Sequence, residues 1–197
     1  MSRQAERSDA TRAKLVRAAR ELFAKRGYAD VGTEEIVRRA RVTRGALYHH
    51  FEDKRDLFRA VHEQIEGEVT ERIGVTLQGT ANDDPVAALR TAARTFLEAC
   101  TEPDIARITL VDAPSVLGWA EWREIDERYG LGLTIAGLTM GMDAGRLRRQ
   151  PVRPLAHLLL AAMGEAGMVI ANADDPRAAR AEVEQPLLSL LEGLETG

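Results

Sequence analysis

The sequence predicts an all-α protein of about nine helices, with a small N-terminal domain over residues 1–53 and a larger helical domain over residues 54–197. Three observations predict it. Apolar residues recur at helical spacing along most of the chain, capping residues and prolines stand at the starts of those patterns, and no strand pattern of weight interrupts them.

The first helix is expected over residues 9–26. Leu15, Ala18, Ala19 and Leu22 fall at i, i+3, i+4 and i+7 with Phe23 beside them, and Gly27 ends the pattern. Its other face carries Arg12, Lys14, Arg17 and Arg20, with Lys25 and Arg26 in the last turn, a placement that suits both the helix dipole and a polyanion. The run from Thr33 to Phe51 then reads as two short helices joined by a tight turn. Thr33 is read as a hydroxyl cap followed by Glu34 and Glu35 in the first turn, Ile36, Val37 and Ala40 form an apolar side, Arg41-Val42 carries the turn, and Thr43 caps the second helix. Two caps ten residues apart leave room for helix, turn and helix, the layout of a DNA reader.

On the second of these helices Leu47 and Phe51 share a face and must point into a core. Opposite them lie Gly45 and His49, flanked by Ala46 and Tyr48, with Arg44 at the helix start. Glycine inside a helix costs about 1 kcal/mol relative to alanine, so Gly45 makes sense where a partner such as DNA approaches the backbone. The other reading is a plain polar surface with a tolerated glycine. Asp53 can cap the next helix, in which Lys54 puts a cation in the first turn, an unfavourable place unless an anion such as phosphate is near.

Residues Leu15 to Phe58 carry an apolar first helix, Gly27-Tyr28, Thr33, Ile36, Ala40, Val42-Thr43-Arg44-Gly45, Leu47-Tyr48-His49-His50-Phe51, Lys54 and Leu57-Phe58. In these positions the sequence resembles the N-terminal domain of TetR-family transcriptional regulators. The resemblance implies that the second helix of the motif enters the major groove of double-stranded DNA, with Arg44, Gly45 and Ala46 facing bases. It further implies that Thr33, Thr43, Tyr48, His49 and Lys54 contact phosphate. Repression, and a small-molecule effector held in the second domain, are expectations of the same resemblance.

Charge is divided to match. Residues 1–60 hold 15 Lys+Arg against 9 Asp+Glu and the remainder 12 against 22, so an overall charge of −4 hides a basic head and an acidic body. A basic head suits nucleic acid, and an acidic body stays off it.

In the body, Asp84-Pro85 and Asp175-Pro176 each place a cap before a first-turn proline, and Pro103, Pro114, Pro151 and Pro154 mark further starts or breaks. Helices are expected over 54–78, 85–100, 104–111, 119–144, 154–172 and 176–194, with a loop at Gln78 to Asp84. The last two helices are the expected homodimer surface. The helix from Pro154 is apolar nearly all round and presents Leu158, Ala162, Glu165 and Val169, while Val183, Leu187, Leu190, Leu191 and Leu194 line the final one. Small residues Ala161, Ala162, Gly164, Ala166 and Gly167 would let helices approach, and two helices from each subunit would close a four-helix bundle. Burial within one subunit would need similar faces. Pro186 predicts a kink or break in the final helix.

An effector cavity would draw on the large, soft or polar-tipped groups of the middle helices: Phe96, Cys100, Trp119, Trp122, Tyr129, Met140, Met142, His157 and Met163. An apolar or amphipathic small molecule fits that set, although the same residue types also serve as ordinary core. The helix beginning at Lys54 joins head to body and is the expected lever, with Ile65, Val69 and Ile73 packing below the head.

Other function classes lack their signatures. The chain has no His-Glu-x-x-His, no Glu-x-x-His pair, no glycine-rich phosphate loop and no nucleophile elbow, so neither an enzyme nor a bound cofactor is expected. His49 and His50 diverge by about 100° on a helix and cannot share a metal. One cysteine and an N-terminus without an apolar signal segment point to the cytoplasm. The apolar run Leu155 to Ile170 is interrupted by His157, Gly164, Glu165 and Gly167 and is read as a buried helix rather than a membrane span.

Overall fold

Helix α1 (Arg3–Arg26) buries Leu15, Ala18, Ala19 and Phe23 on one side and ends at Gly27, whose φ of +79° is the left-handed conformation that closes a helix. The computed structural model describes residues 3–77 and 84–196, so the expected loop at Gln78 to Asp84 lies, apart from Asp84, outside the described residues. The first helix starts six residues earlier than its apolar pattern, because the turns before Asp9 need no buried face to be helical.

Helices α2 (Thr33–Ala40) and α3 (Arg44–His50) follow, with Arg41 alone in the left-handed region, φ 56°, at the turn between them. Thr43 caps α3 as expected: its Oγ1 accepts from the Ala46 N–H at 3.2 Å. Thr33 does not cap α2. Gly32 takes that place in an extended conformation, its carbonyl accepting from Ile36 N–H at 3.3 Å, and Thr33 becomes the first helical residue. The hydroxyl of Thr33 is thereby released from capping and lies near Tyr48 of α3.

Helix α4 (Lys54–Leu77) is capped by Asp53, whose Oδ1 accepts from Asp56 N–H at 2.7 Å, and its buried apolar residues, from Leu57 to Val69, all join one core with the head. Its first half puts Leu57, Phe58 and Val61 among the buried residues of α1, α2 and α3. Phe23, Tyr28 and Phe58 form an aromatic trio with ring centroids 5.2 to 5.7 Å apart.

The body adds five helices. Asp84 caps α5 (Pro85–Ala99) through the N–H groups of Val86 and Ala87. Helix α6 covers 103–117 and contains a π-helical stretch, Ala106–Asp112. It is longer than its apolar pattern suggested, because Pro114 lies in the turn after the π stretch, where the missing N–H is tolerated. Gly118, at φ 81°, separates it from α7, which covers 119–143 and has a second π stretch, Glu127–Leu131. Helix α8 (Val152–Ala171) and helix α9 (Pro176–Glu192) complete the chain, the latter capped by Asp175. The only extended pairing among the described residues is one antiparallel bridge, Leu147 with Glu195.

Helix α9 runs through Pro186 without a break. Proline and Glu182, four residues before it, are both exposed, so water can serve the carbonyl that loses its donor. The small residues of α8 act mainly inside the subunit. Ala166 and Gly167 are buried, and a Cβ at Gly167 would stand 3.1 Å from Cys100 Sγ and 3.3 Å from Leu110. Helix α8 is also long and apolar enough to cross a membrane, with mean hydropathy 1.5 over its best window and 33% of that window buried. The interruptions at His157 and Glu165 therefore do not lower its hydropathy as far as the sequence reading supposed.

The aromatic trio ties α1 to α4. Replacing Phe58 by alanine should cost about 3–5 kcal/mol in urea unfolding; a loss under about 1 kcal/mol would show that the trio is not what holds the head together.

Candidate nucleic-acid interface and effector cavity

Helix α3 buries Leu47 and turns Arg44, Gly45, Tyr48 and His49 outward, with Thr43 exposed at its start and Ala46 half-buried. A Cβ placed on Gly45 would meet nothing closer than Thr43 Oγ1 at 4.0 Å, so no packing within the protein demands a glycine there. Arg44 is 64% exposed; its guanidinium lies 5.6 Å from the Tyr48 ring centre and 3.7 Å from Glu34, a solvated pairing too weak to hold it. Arg44 and then Thr33, close to the Tyr48 oxygen, draw that phenol below its usual range. Burial, His49 and Arg12 all lower His50. Arg12 lies over the Phe51 ring at 5.2 Å, which sets the exposed basic side of α1, Arg12, Lys14 and Arg17, beside the end of α3.

Several basic residues of the head have internal partners. Arg20 bonds Asp104 of α6 at 2.7 Å and Glu68 of α4 at 2.6 Å, so it braces head against body rather than facing a polyanion. Arg26 bonds Glu35 and the Asp30 carbonyl. Lys54 donates to the carbonyls of Tyr28 at 2.9 Å and Val31 at 3.0 Å and sits 3.9 Å from the Tyr28 ring centre, so those groups supply the negative potential that the sequence reading assigned to phosphate. The head is further joined to α6 by the Tyr28 N–H, which donates to Asp112 at 2.8 Å. Arg55 donates to the carbonyls of Val116 and Leu117 and to Glu121.

Below the head, α4, α5, α7, α8 and α9 enclose a cavity of about 260 Å³. Phe96, Met140 and Met163 line it as expected. The other expected residues do not. Cys100 is buried behind Gly167, and burial, then the nearby Glu66, push its thiol up and keep it inert. Trp119 is 63% exposed; Trp122 is buried with its Nε1 donating to the Thr109 carbonyl at 3.1 Å. Tyr129 packs beside Gly67, Met142 is buried in the core of the body, and His157 lies 3.2 Å from Glu127 near the surface. Size and softness picked these groups, whereas the wall is made of Ala, Gly, Leu and Thr positions that face one another.

Two carboxyls on that wall were missed, Glu66 and Asp126. The signal was present: Glu66, Val69, Ile73 and Leu77 share one helical side, so an acid stands where the pattern calls for an apolar residue. Burial, with Asp126 adding to it, raises Glu66 to about 8. Burial raises Asp126 to about 6, against the opposing pull of Arg123 at 2.7 Å. Behind Glu66, His62 is wholly buried with neither ring nitrogen hydrogen-bonded, and burial lowers it to about 4. Among the described residues no three His, Cys, Asp or Glu side chains converge to hold a metal.

These shifts fix opposite slopes of stability against pH. Glu66 favours the fold in its protonated form, a contribution complete below its ordinary value of 4.5 and lost as pH rises through about 8. His62 favours the fold when neutral, a contribution lost as pH falls from 6.5 through about 4. Glu66→Gln cannot ionise, so its melting temperature should pull ahead of the wild type progressively between pH 4.5 and 8. A difference that stays constant across thermal melts in that range would contradict the burial of this carboxyl.

The outward faces of α8 and α9 were expected to carry Leu158, Ala162, Glu165, Val169, Val183, Leu187, Leu190, Leu191 and Leu194. Leu158, Val169 and Leu190 are 69%, 45% and 55% exposed, and Glu165 is exposed with them. Ala162, Val183 and Leu194 are half-buried. Leu187 and Leu191 face inward and line the cavity, because α9 must cover the body's own core with one side before it can offer the other.

Comparison with known proteins agrees with this geometry at both ends. Residues 15–61 match the family described as bacterial regulatory proteins, tetR family, and residues 86–194 match the tetracyclin repressor-like C-terminal domain. The chain is similar to the transposon Tn10 TetC protein of Escherichia coli, 28% identical over 160 residues that cover 79% of this chain and 78% of that protein. It is 33% identical to the HTH-type transcriptional regulator AcrR of Shigella flexneri over 100 residues, 51% of this chain and 46% of AcrR. The crystal structure of a TetR-family transcriptional regulator from Pectobacterium atrosepticum superposes with a TM-score of 0.87 at 34% identity, covering 100% of this chain and 99% of that one. The chain belongs to the TetR family of DNA-binding transcriptional regulators and is not an enzyme.

Proposed function

We propose that this regulator is a homodimeric repressor that works in the cytoplasm, binds a palindromic operator and is released when a small apolar or amphipathic molecule enters the cavity of the body. The observation that carries this reading is α4, whose first half lies in the core of the reader and whose second half walls the cavity. Reader and body, residues 1–53 and 54–197, meet on that helix.

On the DNA side, Arg44, Gly45 and Ala46 face bases, and Thr33, Thr43, Tyr48 and His49 contact phosphate. Lys54, with two of its three N–H donors spent on carbonyls, reaches phosphate with the third. Dimerisation buries the exposed Leu158, Val169 and Leu190, and the twofold axis makes the operator a palindrome whose half-site spacing matches the two α3 helices. The ligand acts by linkage: if it binds better to the arrangement with misaligned heads, it weakens operator binding by the same factor by which DNA weakens its own binding. Bonds from α6 to Tyr28 and from Arg55 to α6 give the body a second grip on the head besides α4.

Selection of bound duplexes from a random library should yield a palindrome with wild type. Arg44→Ala should relax preference at one position of each half-site by about 1–3 kcal/mol. Gly45→Ala should separate two quantities: stability rises by up to about 1 kcal/mol while duplex affinity falls, because the new methyl stands where the bases approach. Failure to recover any motif across a range of salt would sink the reading. Leu158→Glu should yield a folded monomer in sedimentation velocity that binds duplex far more weakly; an intact dimer would place the interface elsewhere.

A further inference from the structure

Among the described residues that face the cavity, the only groups able to carry charge are two acids. Glu66 comes from α4 and Asp126 from α7; the remaining wall is apolar except for Thr70 and Thr134, and the Thr134 hydroxyl is spent on the Gly130 carbonyl at 3.0 Å. The two acids differ in their partners. Asp126 accepts from Arg123 at 2.7 Å, whereas no hydrogen bond to the Glu66 carboxyl is found among the described residues. Among the described residues the one basic nitrogen within 4.0 Å of Glu66 is His62 Nδ1 at 3.8 Å, on its own helix and buried behind it. Just beyond α5 the Cys100 thiol, and on α7 the Tyr129 phenol, lie near enough to feel the Glu66 charge without lining the cavity; Asp126 of α7 shares the wall, and α8 and α9 present only Leu159, Leu160, Met163, Gly164, Leu187 and Leu191. Among the described residues no Lys or Arg nitrogen lies within 4.0 Å of the Glu66 carboxyl.

We propose that the ligand of this cavity is an organic cation, a compact apolar body carrying one ammonium-type group that seats on the Glu66 carboxylate. The inference rests on the reading of the cavity as the effector site and names the chemistry of that effector. An anion would meet two carboxyls, and a plain hydrocarbon would leave Glu66 unmatched. An ammonium donates to it in an apolar setting, where a charge-assisted bond is strongest, while the apolar body fills the space between α5, α7 and α8. Exposed Leu133, Ala136 and Met140 on α7 form the rim through which the apolar part enters. Because Glu66 is held protonated at neutral pH, seating the cation converts a carboxylic acid to a carboxylate: the O–H bond breaks, the proton leaves to buffer, and the ammonium takes its place. Affinity for the cation therefore rises with pH up to about 8, and that for a neutral counterpart does not.

The test is calorimetry on the full chain with two apolar bodies, adamantyl and n-octyl, each as ammonium, alcohol and carboxylate. For at least one body the ammonium should bind about tenfold or more tighter than the alcohol, with the carboxylate weakest. Titrations in two buffers of different ionisation enthalpy should show proton release at neutral pH. Glu66→Gln should erase both the preference and the proton release while melting no lower than wild type. Asp126→Asn, removing an acid already paired, should keep most of the preference. Equal binding of ammonium and alcohol, a preference that survives Glu66→Gln, or no binding of either ammonium would overturn the proposal. Failure of the underlying reading looks different. An alcohol that binds and releases the selected duplex keeps the effector role and removes the cation, whereas an ammonium that shows the preference yet leaves duplex affinity unchanged keeps the cation and removes the effector role.

Discussion

Everything in this molecule depends on one helix, α4, that is sunk in the core of the head and walls the cavity of the body. Leu57, Phe58 and Val61 of α4 complete the core under the recognition helix, and a turn or two later Glu66, Val69 and Ile73 face the cavity. Packed interiors respond to displacement as solids, so a helix packed in the head core along most of its length carries a displacement at the cavity wall into the head. Arg20 reinforces the constraint by bonding α1 to Glu68 of α4 and Asp104 of α6 at once. Its guanidinium loses hydration through burial but regains more from the two carboxylates, which hold its pKa above the ordinary value.

The exterior follows from what α4 leaves unused. Leu47 and Phe51 of α3 are drawn inward against the head core, and that rotation fixes Arg44, Gly45, Tyr48 and His49 outward. In the body, α9 is drawn inward through Leu187 and Leu191 and α8 through Leu160 and Ile170, which leaves Leu158, Val169 and Leu190 exposed as the apolar remainder. The two surfaces proposed for DNA and for the second subunit are the faces left when the interior demands are met.

How far the sequence could be read depended on whether a feature was local. Caps at Thr43, Asp84 and Asp175, the stop at Gly27 and the turn at Arg41 are decided within a few residues, and each was legible. The outward face of α3 was legible because Leu47 and Phe51 fix the helix's rotation. The cavity was not, since its wall depends on which small residues from five helices come to face one another, and Phe96, Met140 and Met163 were found while Trp119 and His157 were misplaced. Thr33 was misread as a cap, and the internal partners of Lys54 were hidden, for a related reason. Gly32 displaced the first as cap, and the partners of the second, the carbonyls of Tyr28 and Val31, lie more than twenty residues away.

The most direct test of the shared-helix account fills the cavity without touching the head. Gly164 of α8 lines it, and a Cβ there meets nothing within 4 Å, so Gly164→Leu puts a side chain where a ligand would sit. Affinity for the selected duplex should be measured by fluorescence anisotropy, with melting temperature and dimerisation checked alongside. A loss of about tenfold or more in a folded dimer is the predicted result, a coupling of ordinary allosteric size. Unchanged duplex affinity with the cavity filled would contradict the claim that α4 carries the state of the cavity to the reader.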